Sequence, residues 1–317
     1  MILITGSSGY VGSQLIPRVR SVARVIGVDV IPSEFTDIVV GIESLEFKMA
    51  LREFDCDEIN VINLAAARFD FGATAKRYYE MNVEHHESFL ETLNEFNVKN
   101  FIHVSSVASF DGKDIPFSES LGCDDSYRST KYLQEVLVQE WCQHNHVNLT
   151  TIYPSAIFSE DARSDTNIGR MQFVSRYLPF VPEIEVHKSL TYLPNFSAFI
   201  ADLISEKLPH GRYLTIEQPI LPVSEMIRIF SGRSLPVRRI PGLRNLLEFV
   251  ARLLYFVGGF GKIDMKLNPN RVQKLFSDSS YSQLNDDQID RELYTISYKE
   301  TLIDILESFS GKESRKL

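Results

Sequence analysis

The chain is short of the residues that most quickly settle a protein's class. Among its 317 residues there are three cysteines, Cys56, Cys123 and Cys142, an odd number without CxxC spacing. Neither a disulfide framework nor a zinc site is expected from them. No apolar run reaches the ~18 to 20 residues a spanning helix needs, and no basic segment followed by an apolar one marks a signal peptide. Positive charge is also scarce: 33 Lys and Arg against 42 Asp and Glu leave a formal net charge of -9, which argues against nucleic acid as a partner. Histidine offers no metal set, because His85 and His86 share a helix, His144 and His146 flank a turn, and neither pair has further ligands at metal spacing. Internal repeats and low-complexity tracts are missing, and only 311–317 reads as a polar tail. A reducing cytoplasm fits these absences. The 44% of hydrophobic residues is ample for a large core.

What is present is concentrated at the N-terminus, MILITGSSGYVGSQLIPRVRSVARVIGVD. An apolar strand at 2–4 runs into glycines at 6, 9 and 12, a helix follows, and a second apolar run at 22–28 stops at Asp29. In a dinucleotide site each part has a task. Glycine lets the backbone approach a pyrophosphate, the helix N-terminus offers free N–H groups and positive dipole, and the carboxylate receives ribose hydroxyls. Glycines also cluster in ordinary turns, so the pattern alone weighs evenly between structure and function; strand, helix and Asp29 in the right places favour function. Pro17 falls inside the helix and predicts that it is short or kinked.

The periodicity then alternates. Strands are expected at 38–40, 60–64, 100–104, 147–153 and near 212–216, with helices at 43–54, 74–97, 127–144 and near 196–206. Such alternation implies right-handed crossovers, and near-continuous apolar strands imply a parallel sheet covered on both faces. The expected fold is α/β, a Rossmann-type doubly wound parallel sheet. Its domain spans 1–155, completed by strands near 186–216, and a smaller C-terminal lobe at 156–317 is taken to bind substrate.

The strongest constellation is Ser106, Tyr127 and Lys131. Tyr127 and Lys131 are four apart at a predicted helix start and project from one face. An ammonium beside a phenol favours the phenolate, lowering a pKa normally about 10. Tyr127 then suits general acid–base work on a hydroxyl or carbonyl, with Ser106, at a strand's carboxyl end, bonding the same oxygen. The competing reading, a surface pair on an amphipathic helix, carries equal weight in isolation. Of the thirteen tyrosines only Tyr127 has a lysine four residues on.

Together, TGSSGYVG at 5–12, NLAAAR at 63–68, HVSSVASFDG at 103–112 and YRSTK at 127–131 resemble the extended short-chain dehydrogenase/reductases, the NAD-dependent epimerase/dehydratase group. YEMNVEHHESFLETL at 79–93 and IYPSAIFS at 152–159 are similar to that family's central helix and to the strand entering its substrate lobe. The resemblance is close to about residue 160 and fades beyond about 232. It implies Ser106, Tyr127 and Lys131 as catalytic residues, Lys131 also holding the nicotinamide ribose. It implies a cofactor site of Gly6, Ser8, Gly9, Tyr10, Val11, Gly12, Asp29, Leu64, Ala65, Ala66, Asn82, Tyr127, Lys131, Tyr153 and Pro154, and a homodimer packed through 74–97 and 127–144. Asp29 would repel the 2′-phosphate of NADP, and Val30, Ile31 and Pro32 supply no cation, so NAD is expected. Three departures stand out: only Glu43 lies where an adenine-contacting acid is common, Phe110-Asp111-Gly112 replaces Tyr-Gly, and Ser105-Ser106-Val107 lacks the acids of a dehydratase.

For a small-molecule substrate the candidates are Arg68, Ser106, Ser155, Arg163 and Arg170, with Arg176 in the same segment; an arginine fork suits a diphosphate, and solvated surface arginines are the equal alternative. The expected function is an NAD-dependent epimerase or oxidoreductase moving a hydride at a secondary alcohol, of a nucleotide sugar. A hydroxysteroid dehydrogenase-like or other alcohol dehydrogenase with an apolar substrate is one alternative, and a non-catalytic NAD-binding scaffold or sensor is another. Residues 238–262 form an amphipathic helix with one stripe of Leu243, Leu247, Val250, Leu254 and Val257 and another of Arg244, Glu248 and Arg252. It suits a pocket border or a membrane surface; covering the core or a subunit contact is favoured.

Overall fold

The computed structural model describes residues 1–54, 57–67, 73–159, 167–258, 269–281, 293–296 and 301–312. The chain divides into two compact units. The first gathers Met1–Ser155, Leu193–Thr215 and Asp286–Ile296, and the second Ala156–Tyr192, Ile216–Asn285 and Ser297–Leu317.

The first unit holds an eight-stranded sheet in which every pairing is parallel. Its strands are β1 (Ile2–Thr5), β2 (Val25–Asp29), β3 (Ile38–Val39), β4 (Ile59–Asn63), β5 (Val98–Val104), β6 (Asn148–Pro154), Arg212–Thr215 and Leu293–Ile296. Across the sheet they run Leu293–Ile296, Arg212–Thr215, β6, β5, β4, β1, β2, β3. The order reverses direction between β1 and β4, and the crevice at their carboxyl ends is where such sheets place ligands. The helices are α1 (Gly12–Arg20), α2 (Leu45–Arg52), α3 (Ala75–Tyr79), α4 (His85–Leu93), α5 (Ala108–Gly112) and α6 (Cys123–His144). One core cluster joins Leu3, Ile26, Val61 and Phe101 of the strands to Phe47, Leu51, Phe89, Leu93 and Val138 of α2, α4 and α6.

Several expectations need correction. The long helix over 74–97 is interrupted: α3 passes into a π-helical turn at Glu80–Glu84 before α4 begins. Such a turn inserts one residue into the ladder and re-aims its side chains. The second strand begins at Val25, because Val22 N–H still bonds Val19 O at the end of α1 and leaves its side chain exposed. The helix expected from 127 starts earlier, at Cys123, with Asp124 and Asp125 in its positive first turn, and the short α5 follows β5. Of the strands near 186–216, Leu190–Tyr192 pairs with Ala156–Phe158 and belongs to the second unit. Arg212–Thr215, from the same stretch, does join the sheet beside β6, and Leu293–Ile296 adds the edge strand beyond it. Pro17 lies inside a helix of only 9 residues, as short as its missing N–H predicts.

Within the second unit, one cluster joins Phe158, Leu190 and Tyr192 to Met226, Phe230, Leu302 and Leu306. Another joins Val181 and Ile184 to Val223 and Ile227. Helix Leu243–Val257 packs against helix Pro269–Leu275 and contributes to neither cluster.

Candidate active site

The glycine-rich turn follows β1 directly. Gly6 sits at φ +72°, a conformation glycine adopts without strain, and a Cβ there would stand 3.0 Å from the Leu64 carbonyl carbon. A Cβ on Gly12 would lie 2.3 Å from Gly6 O, so the turn closes onto the helix start only with glycine. Across the crevice, Thr5 Oγ1 donates to Asn63 Oδ1 at 2.7 Å and accepts from Leu64 N and Ala65 N at 3.2 and 3.1 Å. One buried hydroxyl thus fixes the two crest loops, after β1 and after β4, against each other.

At the end of β2, Asp29 Oδ2 accepts from Ser8 N and Oδ1 from Ile31 N, both at 3.0 Å. The carboxylate is therefore aimed by backbone. The first turn of α1 has neither a side-chain cap nor an acidic residue, which suits an anion at its N–H groups. These residues fit a dinucleotide: Gly6, Gly9 and Gly12 would give the floor for a pyrophosphate, α1 the positive end, and Asp29 an acceptor for ribose hydroxyls.

Asn82 is buried in the π-helical turn. Its Oδ1 accepts from Ala67 N at 2.7 Å and its Nδ2 donates to Thr130 Oγ1 at 3.1 Å, tying the Leu64–Ala65–Ala66 loop to α6. The extra residue of the turn is what lets a helix side chain serve both partners.

The structure places the Ser106 hydroxyl beside the Tyr127 phenol, where it acts to lower the phenol's pKa. Ser106 follows β5 and its Oγ also accepts from Ala108 N at 3.2 Å; Tyr127 is held on its far side by the edge of Tyr78, ring centres 5.9 Å apart. Lys131, one turn along α6, is buried; its Nζ donates to Gln134 Oε1 at 2.5 Å and Val104 O at 3.3 Å. The expectation that Lys131 lowers the phenol's pKa is corrected here. Burial raises Tyr127 above its usual value, the Ser106 bond pulls it back, and Asp124 pushes it further up. Burial also brings Lys131 down to about 8, against the Glu135 carboxylate beside it. The ammonium bonds Gln134 and Val104 rather than the phenol.

Beneath this set lies a second polar layer that sequence reasoning missed. Gln134 Nε2 bonds Ala65 O at 3.1 Å and His86 Nε2 at 2.6 Å, while His86 Nδ1 faces Met81 O at 3.0 Å. Nδ1 therefore carries the ring proton, and burial with the Lys131 charge holds His86 near a pKa of about 3. Glu135, its side chain 11% exposed, accepts from Ser105 and Ser109 at 3.0 and 2.9 Å and from the Tyr153 hydroxyl. Arg212 Nε donates to that hydroxyl at 2.8 Å. The Tyr153 side chain thus faces this layer, stacked on Phe110 at 4.6 Å. The signal for Gln134 and Glu135 was their spacing of three and four residues from Lys131.

Pro154 O accepts from Val107 N, and Ser155 N donates to Thr215 O. Tyr10 and Val11 lie in the turn before α1. Arg68 and Arg163 fall outside the described residues, and Arg170 lies half-buried on helix Asn167–Ser175 of the second unit. Glu43 faces His85 Nδ1 at 3.5 Å. No cluster of metal-binding side chains occurs among the described residues.

Residues 2–182 match the model of the NAD dependent epimerase/dehydratase family. A curated relative, N-acetyl-alpha-D-glucosaminyl-diphospho-ditrans,octacis-undecaprenol 4-epimerase of Escherichia coli O157:H7, is 25% identical over 231 residues, covering 71% of this chain and 70% of the relative. The UDP-glucuronic acid 4-epimerase of Bacillus cereus, solved with UDP-glucuronic acid and NAD, shares the fold at TM-score 0.61 and 17% identity, covering 100% of this chain and 99% of that one. The UDP-N-acetylglucosamine 4-epimerase of Methanobrevibacter ruminantium M1, solved with UDP-N-acetylmuramic acid, does so at TM-score 0.60 and 17% identity over 75% and 84%. With more than half of its length matched to the family and a crevice that fits the dinucleotide, the chain belongs to the NAD-dependent epimerase/dehydratase family of extended short-chain enzymes, and NAD is its cofactor.

Proposed function

We propose that this enzyme epimerises a secondary alcohol of a hexose carried on a diphosphate, a nucleotide sugar in the first instance. The observation that carries the reading is Ser106 beside Tyr127 with Lys131 one turn on, in the unit that also holds the glycine turn and Asp29. Bound NAD supplies hydride acceptance and return. Gly6, Gly9, Gly12 and Asp29 hold it, with Ser8, Tyr10, Val11, Leu64, Ala65, Ala66 and Pro154 around it and Asn82 fixing the loop. Lys131, turned from Gln134 to the ribose and the phenol, favours the phenolate; Tyr127 then takes the proton of the substrate hydroxyl at its phenolic oxygen and gives it back, and Ser106 bonds the same substrate oxygen. An epimerase returns the hydride to the opposite face of the same carbon, so cofactor and oxidation state are restored each turn. Both the relative and the structural neighbours act on diphosphate-linked hexoses by name, which supports this reading over an apolar alcohol or a scaffold without turnover.

A second reading rests on the E. coli relative, named for a hexosamine on a polyprenyl diphosphate rather than on a nucleotide. The test gives the purified enzyme UDP-N-acetylglucosamine and the same sugar on a polyprenyl diphosphate, with product resolved by proton NMR. Epimer from the first supports the nucleotide reading, epimer from the second alone selects the lipid-linked one, and epimer from neither overturns both. Arg170 and Ser155 are proposed substrate contacts. A cytoplasmic homodimer is proposed as well, joined through 74–97 and the half-buried Leu133, Val136 and Leu137 of α6; light scattering measures its mass.

A further inference from the structure

Helix Leu243–Val257 carries its expected inward stripe, with Leu243, Leu247, Val250 and Leu254 half-buried and Ala251 buried. Val257 does not belong to that stripe. It joins a second one, Leu246, Phe249, Leu253 and Val257, whose side chains are 57%, 66%, 52% and 67% exposed. Spacings of three, four and four residues place these four on one outward face. A soluble chain rarely leaves four large apolar side chains in one row facing water, and such a row marks a docking surface.

The charge around the stripe identifies what docks. Residues 238–258 hold four arginines, Arg238, Arg239, Arg244 and Arg252, and one carboxylate, Glu248, in a chain of net charge -9. Glu248 is paired with Arg244 at 2.8 Å, Arg238 lies over the Phe180 ring, and Arg239, 87% exposed at the helix approach, has its Nε 4.0 Å from Glu183 Oε2. A second copy meeting this face across a twofold axis would set arginine against arginine. Nucleic acid would engage the arginines and leave the Leu, Phe and Val row in water. A surface that is anionic outside and apolar just below satisfies both.

We propose that helix Leu243–Val257 lies in the headgroup plane of an anionic lipid bilayer. Leu246, Phe249, Leu253 and Val257 enter the acyl boundary, and Arg239 and Arg252 meet the lipid phosphates. No helix among the described residues is long and apolar enough to cross a membrane, so the contact is peripheral. The inference stands independently of which sugar carrier the enzyme uses.

The full chain is floated with vesicles of pure phosphatidylcholine and with vesicles containing about 30% phosphatidylglycerol. The expected result is flotation with the anionic vesicles that weakens as salt is raised. The double variant Phe249→Glu/Leu253→Glu should lower the bound fraction roughly 10-fold or more. Arg239→Gln/Arg252→Gln should abolish the preference for phosphatidylglycerol and the salt dependence. Far-UV circular dichroism and NAD binding check folding, and all four substituted side chains are exposed, so both pairs should pass. Turnover of a water-soluble substrate should stay unaltered in both, which keeps this inference separable from the epimerase reading. Native protein that stays down with anionic vesicles overturns the proposal, as does flotation unchanged by both pairs. So does a Phe249→Glu/Leu253→Glu protein that floats normally but changes from dimer to monomer, because the face is then a subunit contact.

Discussion

Tyr127 is where sequence and structure differ most usefully. The four-residue spacing to Lys131 predicted a lowered phenol pKa, but burial dominates and the lysine bonds Gln134 and Val104 O. A pair's spacing gives adjacency, and neither burial nor a third partner is encoded in it. Tyr127→Phe should lower turnover about 100-fold or more while leaving NAD affinity nearly unchanged, measured by steady-state kinetics and calorimetry. Asp29 accepts from two backbone N–H groups, so Asp29→Ala loses both of those bonds together with the proposed ribose acceptor. NAD affinity should drop roughly 10-fold, with discrimination against NADP relaxed; an unaltered preference removes the assigned role. His86 provides a pH prediction. Its pKa is about 3 in the folded chain against 6.5 in the unfolded one, and His103, buried beside Lys131, is also held well below 6.5. The unfolded state binds more protons between these values, so this contribution is complete above about pH 6.5 and is lost as pH falls toward 3. It amounts to roughly 5 kcal/mol for His86. Urea unfolding at several pH values should show that acid limb, flattened in His86→Gln.

At the level of elements, β1, the glycine turn, α1, β2 and the order β4, β5, β6 were legible because apolar runs, glycine spacing and a terminal carboxylate are local signals. Gly12→Ala tests that reading. A Cβ 2.3 Å from Gly6 O cannot be relieved by a side-chain rotation, so the turn must open, at a cost of roughly 1–3 kcal/mol and with NAD binding weakened. The π-helical turn at Glu80–Glu84 was not legible. The sequence there reads as uninterrupted helix, and the turn exists because Asn82 must reach both Ala67 N and Thr130 Oγ1. Such a demand comes from tertiary partners 15 and 48 residues away. The Glu135 layer was hidden for the same reason: Ser105 and Ser109, Tyr153, and Arg212 come from three separated segments and meet only once the sheet has formed.

At the scale of the whole molecule, the first unit is not continuous in sequence. Leu193–Thr215 and Asp286–Ile296 return to it after excursions into the second unit, and the last strand was invisible because four residues without a distinctive pattern supply it. A cofactor that binds the folded chain alone should stabilise the whole domain around its crevice. At a concentration about 100 times its Kd, NAD should add about 2.7 kcal/mol, read as a rise of a few degrees in Tm. The claim that organises everything else is that oxidation and reduction close within one active site. Product formation and absorbance at the reduced nicotinamide band, followed together on enzyme given a diphosphate-linked hexose and no added cofactor, test it most directly. The account predicts many equivalents of epimer per enzyme with no net accumulation of NADH. Stoichiometric NADH with a keto product would contradict it and make the enzyme a dehydrogenase.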